Sequence, residues 1–235
     1  MNQKLLYLTA LQIVSTAVAV GGLVLAFSPA GLAVSLALFV LFGGVGMSVT
    51  YHRRLAHRAF RTSPFWEWVG TGAGFLGSHM SPVEWAAQHF NHHRYVDQPG
   101  DPHSPALLGW RAALYAFHGA DAPVPRMFLG RLLRQRPVEF FHRHGPSVAL
   151  LHLALCAVFG LPGIIYGFAL PIALTHFGLI LSVFNHGLDG PATRGWLNAI
   201  LTMGEHNHAA HHRNATDVSQ DGPATWIINR IRTDT

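Results

Sequence analysis

The clearest feature of the chain is where its uncharged apolar runs begin and end. Residues 5–27 carry no charged side chain and are long enough to cross about 30 Å of hydrocarbon as a helix. "SPAG" (Ser28 to Gly31) then supplies turn-forming residues. A second uncharged run, 32–50, follows, so the two predict a transmembrane hairpin. A further uncharged region extends from Ser147 to Phe184. It is too long for one crossing, and "LPG" at Leu161 to Gly163 offers a turn, which predicts crossings over 147–161 and 164–185. The segment from Pro64 to Trp85 is apolar but interrupted by Glu67, His79, Glu84 and two prolines, and is read as an interfacial or re-entrant helix.

The resulting expectation is an all-α integral membrane protein. It is a single domain, 1–235, with four transmembrane helices in two hairpins, interfacial helices and a histidine-rich cap. Regions 51–146 and 187–235 then share one face with both termini. Region 51–146 holds eleven arginines while the two opposite loops hold none, so the shared face is assigned to the cytoplasm, in a bacterial inner membrane. Residues 5–27 are too long for a signal-peptide core and predict a retained helix.

Composition agrees with this plan. Of 235 residues, 50% are hydrophobic and only 11% charged, about half the charged share of an ordinary soluble domain. The net charge of +5 arises from arginines scattered between apolar segments, which argues against nucleic-acid binding. The single cysteine, Cys156, excludes an intrachain disulfide and a thiolate metal site, and reads as a small buried apolar residue.

Histidine changes the picture most. There are seventeen, and several fall into patterns. "HFNHH" places His89, His92 and His93 at i, i+3 and i+4, on one helical face, and "HAAHH" repeats the spacing with His208, His211 and His212. "HRRLAH" separates His52 and His57 by five residues. On an α-helix that is an angle of about 140°, so the pair either serves two adjacent ions or flanks a helix end. His186, at the end of the fourth apolar run, is a ninth candidate. Eight or nine imidazoles exceed the ligand number of one ion and imply two. A neutral nitrogen set without cysteine suits iron, copper or zinc. Asp97, Asp101 and Glu205 are the acids placed to orient imidazoles, and pairing with Arg94 and its neighbours is the competing reading.

In this order, between two apolar hairpins, HxxxxH, HxxHH and HxxHH resemble the membrane fatty-acid desaturases of the stearoyl-CoA desaturase type. The likeness runs from "YHRRLAHRAF" (Tyr51 to Phe60) through "EWAAQHFNHHRYVDQPGDPHSP" (Glu84 to Pro105) to "GEHNHAAHH" (Gly204 to His212). It implies a cytoplasm-facing di-iron centre held by the nine histidines, O2 as co-substrate and a fatty acyl substrate carried by CoA, an acyl carrier protein or a lipid. It also implies two electrons from a ferredoxin or cytochrome b5 type donor, and a tunnel wall at Trp85. The chain departs from the family pattern at Ala87 and Gln88, where Arg and Asp are usual, at Ser182 in place of an Asn that holds a metal-bound water, and at Ala209 after His208. Related outcomes at such a site are hydroxylation, ketone formation, acetylene formation and oxidative decarboxylation. A non-catalytic membrane metal-binding protein is the alternative of another class.

Overall fold

The computed structural model describes residues 3–119, 123–185, 195–219 and 222–233. Among these the chain is helical, apart from an isolated antiparallel bridge between Thr62 and Arg232. The first hairpin is formed by α1 (Gln3–Leu25) and α2 (Pro29–Ala56). Ser28 caps α2, its Oγ accepting from the Gly31 amide at 3.1 Å, and Pro29 opens the first turn. The Tyr166 hydroxyl locks the turn by donating to the Ala26 carbonyl and accepting from the Ser28 amide.

From Val40 to Ala56, α2 is a π-helix, closed by i→i−5 hydrogen bonds. The His57 amide continues that pattern onto the His52 carbonyl at 3.2 Å. Five residues therefore make roughly one turn here, and the expectation of a wide angle between His52 and His57 is corrected: their ring centroids are 4.8 Å apart. The same region holds a close helix contact. A Cβ on Gly46 would lie 2.3 Å from the Gly74 amide nitrogen, so only glycine permits this approach of α2 to α3 (Pro64–Ser78).

The Pro64 to Trp85 segment is two helices. Chain direction changes at His79, in the left-handed conformation with φ 54°, and α4 (Pro82–Tyr95) begins after the Ser81 cap. The glycine-rich second half of α3, from Gly70 to Ser78, is almost wholly buried against its neighbours, and α3 is not among the helices long and apolar enough to cross a membrane. After short helical turns between Pro105 and Phe117 come α5 (Arg126–Leu133) and α6 (Arg136–Ala157). The second hairpin turns at Phe159 and Gly160 (φ 64°), ahead of the expected Leu161 to Gly163. Its second arm is α7 (Gly160–Phe184), followed by α8 (Trp196–Leu201), α9 (His208–Arg213) and α10 (Pro223–Ile231).

Among the described residues three helices, α1, α2 and α7, are long and apolar enough to cross a membrane. The expected crossing over 147–161 is part of α6, whose first turns carry Arg136, Glu139 and Arg143, so that helix as a whole lacks the apolar length of the others.

Candidate metal centre

α4 brings His89, His92 and His93 to the end of α2, and α9 brings His208, His211 and His212 onto them across more than 100 positions of sequence. Ring nitrogens of His52, His57, His89, His93 and His211 all lie within 4.8 Å of one another, and those of His92, His208 and His212 form a second such group. The eight box histidines thus divide into five and three. The groups adjoin, since the rings of His93 and His212 stack with centroids 4.1 Å apart. His186 lies outside the described residues.

The inward atoms are mainly Nε2. His52 Nε2 is 2.8 Å from His211 Nε2, His57 Nε2 is 2.7 Å from His89 Nε2, and His93 Nε2 is 3.0 Å from His211 Nε2. Two carboxylates fix the outer nitrogens. Glu205 Oε1 lies 2.7 Å from His52 Nδ1, and Asp101 Oδ1 lies 2.9 Å from His92 Nδ1. Each holds the ring hydrogen on Nδ1 and leaves Nε2 a lone pair facing the group, the tautomer a metal ligand needs.

Asp97 stands one step further out. Its amide donates to Asp101 Oδ2 at 3.0 Å and its side chain accepts from Ser104 Oγ at 2.6 Å. Ser182 borders the adjoining cavity, but its hydroxyl donates to the Gly178 carbonyl of its own helix. Trp85 stacks on His89 with centroids 4.9 Å apart and walls the same cavity.

Sequence reasoning missed two neighbours. His103 stacks on His92 at 4.4 Å and groups with it and Asp101. Arg53, 1% exposed, lies between Glu205 (3.6 Å from Oε2) and His211, with its guanidinium set against His211 Nδ1. The sequence signal for His103 was its place within the matching stretch from Glu84 to Pro105. Arg53 carried none, being one of fifteen arginines.

Burial and crowding keep His57, His89, His93 and His211 neutral. Burial, helped by the Arg53 guanidinium and His92, pushes His57 down to about 3. Burial and neighbouring imidazoles push His89, His93 and, together with Arg53, His211 well below the ordinary value. Burial would raise Asp101, but its hydrogen bond to His92 and the Asp97 and His103 amides outweigh that and lower it. Neutral imidazole is the form that binds a cation.

The same shifts set a pH dependence. Unfolded histidines protonate near the ordinary value of about 6.5, while the folded rings resist protonation. Below about 6.5 the unfolded chain therefore holds more protons, and stability present above that value is lost as pH falls toward about 3. The metal-free protein in detergent is expected to melt at similar temperatures between about pH 7 and 8 and at progressively lower ones at about pH 6 and 5. A flat thermal profile down to about pH 5 contradicts this burial.

The two groups border an apolar cavity with about 940 Å³ of empty space, part of it open to solvent. His52, His89 and His208 line it on one side, and Phe39, Gly43, Leu179 and Val183 continue it between the helices. The all-nitrogen groups thus open onto an apolar passage between apolar helices, a setting that suits a metal ion placed beside a hydrocarbon-lined cavity.

No family model matches the chain. Curated relatives do. It is 25% identical over 205 residues to the delta-9 acyl-lipid desaturase 2 of Arabidopsis thaliana, covering 82% of this chain and 66% of that protein. It is 30% identical over 192 residues to an acyl-CoA C20 Delta5-desaturase of Anemone leveillei, covering 76% and 62%. It is 35% identical over 135 residues to the hex-5-enoyl-[acyl-carrier protein] acetylenase of Moorena producens (strain JHB), covering 52% and 41%. The matched segments thus span from 41% to 66% of these relatives' lengths. Over most of its length the chain is thus similar to membrane fatty-acid desaturases.

Proposed function

We propose that this protein is an O2-dependent di-iron fatty acyl desaturase, an oxidoreductase that places a C=C bond in an acyl chain. The observation that carries the reading is the meeting of eight imidazoles, in two adjoining groups, at the side of an apolar cavity. The donor set fits iron: neutral nitrogens, no thiolate, and carboxylates holding ring tautomers from behind. His52, His57, His89, His93 and His211 would hold one ion and His92, His208 and His212 the other, with His186 the proposed ninth ligand. Iron bound there supplies, with O2, the oxidising power that an unactivated C–H bond demands. Overall, –CH2–CH2– with O2, two electrons and two protons becomes –CH=CH– and two waters, the electrons coming from a ferredoxin or cytochrome b5 type carrier.

This chain's residues position and protect. Glu205 and Asp101 keep His52 and His92 in the binding tautomer. Trp85 braces His89 and shapes the passage. Phe39, Leu179 and Val183 exclude water from the acyl chain. The relatives named for acyl-lipid, acyl-CoA and acyl-carrier-protein substrates support a fatty acyl substrate borne as a thioester or a lipid. The acetylenase among them keeps a triple-bond product as the second reading.

The same reading has four crossings, the apolar second half of α6 supplying the third in order. Arginine asymmetry then sets both termini and the centre on the cytoplasmic side of a bacterial inner membrane.

Elemental analysis of protein purified in mild detergent after iron-replete expression tests the centre, and chromatographic identification of the product tests the reaction. About two irons per chain and an unsaturated product are expected, since eight or more nitrogen ligands exceed the four to six of one ion. Zinc alone, at about one per chain, overturns the mechanism.

A further inference from the structure

Two buried acceptors in the cavity wall, apart from the two histidine groups, have no hydrogen-bond partner. Gln12 of α1 is 6% exposed and donates Nε2–H to the Ala113 carbonyl at 2.9 Å. A carbonyl only accepts, so this bond fixes the amide's orientation and leaves Oε1 without a hydrogen-bond partner. His118 repeats the arrangement one residue earlier. Its Nε2 lies 2.9 Å from the Ala112 carbonyl and so carries the ring hydrogen, and Nδ1 is a lone pair without a partner. Both side chains line the cavity that also holds His52, His89 and Tyr115. Burying an acceptor unmet is costly, and two such groups anchored on consecutive carbonyls make a place for a ligand that brings donors.

This step rests on the desaturase reading and deepens it. With the acyl tail along Phe39, Gly43 and Leu179, the head lies toward Gln12 and His118. From there Gln88, which borders this cavity and a second one beside the Lys4–Glu84 ion pair, marks the way out. The acyl ester of a fully substituted glycerol has no N–H or O–H near its carbonyl. A pantetheine thioester has an amide N–H two carbons beyond the sulfur and a second amide further along. We propose that Gln12 and His118 are positioning residues that accept from the amide N–H groups of a pantetheine thioester, and that this chemistry selects the substrate over a glycerolipid ester. Coenzyme A and an acyl carrier protein both present that arm.

The test uses the full chain in detergent and two unreactive probes, S-hexadecyl pantetheine and its twin with both amide nitrogens methylated. Binding by titration calorimetry is expected to be at least about tenfold weaker for the methylated probe, which loses both hydrogen bonds. Gln12→Leu should remove most of that difference, as a double-mutant cycle reads it. Equal binding of the two probes to the unaltered chain overturns the proposal, with no dependence on a variant folding or on iron. Turnover supplies the second arm, with one acyl chain offered on coenzyme A, on an acyl carrier protein and on a phospholipid. Product from either thioester, with Gln12→Leu raising KM about tenfold and changing kcat little, supports the proposal, and the faster thioester names the source. Product from the phospholipid alone overturns it while the desaturase reading stands. No product from any carrier by the iron-loaded protein overturns the desaturase reading itself, and the probe comparison then still decides what the two acceptors recognise.

Discussion

His211→Ala is expected to leave a folded membrane protein that makes no detectable product. His211 is the imidazole on which the five-membered group closes: its Nε2 lies 2.8 Å from that of His52, 3.1 Å from that of His57 and 3.0 Å from that of His93. Removing a group that merely supports a ligand costs about 10–100-fold in metal affinity or activity. Loss of a ligand shared by this many neighbours should exceed that range. The site is rich enough in histidine that the fold survives, because α9 contributes only a short helix against a core set elsewhere by α2 and α3.

His92→Ala should act on the other ion, since His92 belongs with His208 and His212 and its Nε2 lies 3.1 Å from that of His212. Iron should then fall from about two to about one per chain, each group being built for its own ion. His206 supplies the control. It is in the same peptide as the ligands but in neither group, so His206→Ala should keep most of the activity. Product formation by both His211→Ala and His92→Ala at the unaltered rate, measured with iron content, would falsify the assignment of these groups as the reaction centre.

The parts of this centre that sequence made legible are those whose spacing is local. An i, i+3, i+4 triad shares one helical face whatever surrounds it, so His89, His92 and His93 declared themselves, as did His208, His211 and His212, although each triad is divided between the two groups. His52 and His57 were legible as residues but not as geometry. The five-residue gap suits one site only because the end of α2 is wound as a π-helix, and nothing in "HRRLAH" specifies that winding. Apolar run length found α1, α2 and α7. It placed the second hairpin's turn late, because Gly160 in the left-handed region turns the chain before Pro162 is reached. Asp101 and Glu205 were legible as acids near histidines, and Glu205 meets both His52 and Arg53, an arginine other than the Arg94 group of the competing reading. Arg53, Gln12 and His118 acquire meaning only through partners 158, 101 and 6 residues away, two of those separations being far beyond any periodicity.

Glu205→Ala is expected to weaken both the fold and the centre. The carboxylate is buried, accepts from Ser48 Oγ at 2.5 Å, meets His52 Nδ1 at 2.7 Å and faces Arg53 Nη2 at 3.6 Å. Burial pushes its carboxyl up, while Arg53 and the Ser48 hydroxyl pull the other way. Removing one member of a buried ion pair strands the other, at about 3–5 kcal/mol, so the unfolding transition in detergent should drop sharply. Glu205→Gln preserves volume and a hydrogen bond to His52 but not the charge facing Arg53, and should fall between the two. A double variant, Glu205→Leu with Arg53→Met, removes both charges and should regain much of the lost stability, because an apolar pair of similar size is often no worse than the ion pair. Metal binding behaves differently. Without the carboxylate, nothing at that position holds the His52 hydrogen on Nδ1, so iron affinity should remain about 10–100-fold weaker in the double variant. Recovery of stability without recovery of iron separates the two roles of Glu205. Recovery of both would mean that the carboxylate serves only to neutralise Arg53, and that His52 finds its tautomer unaided.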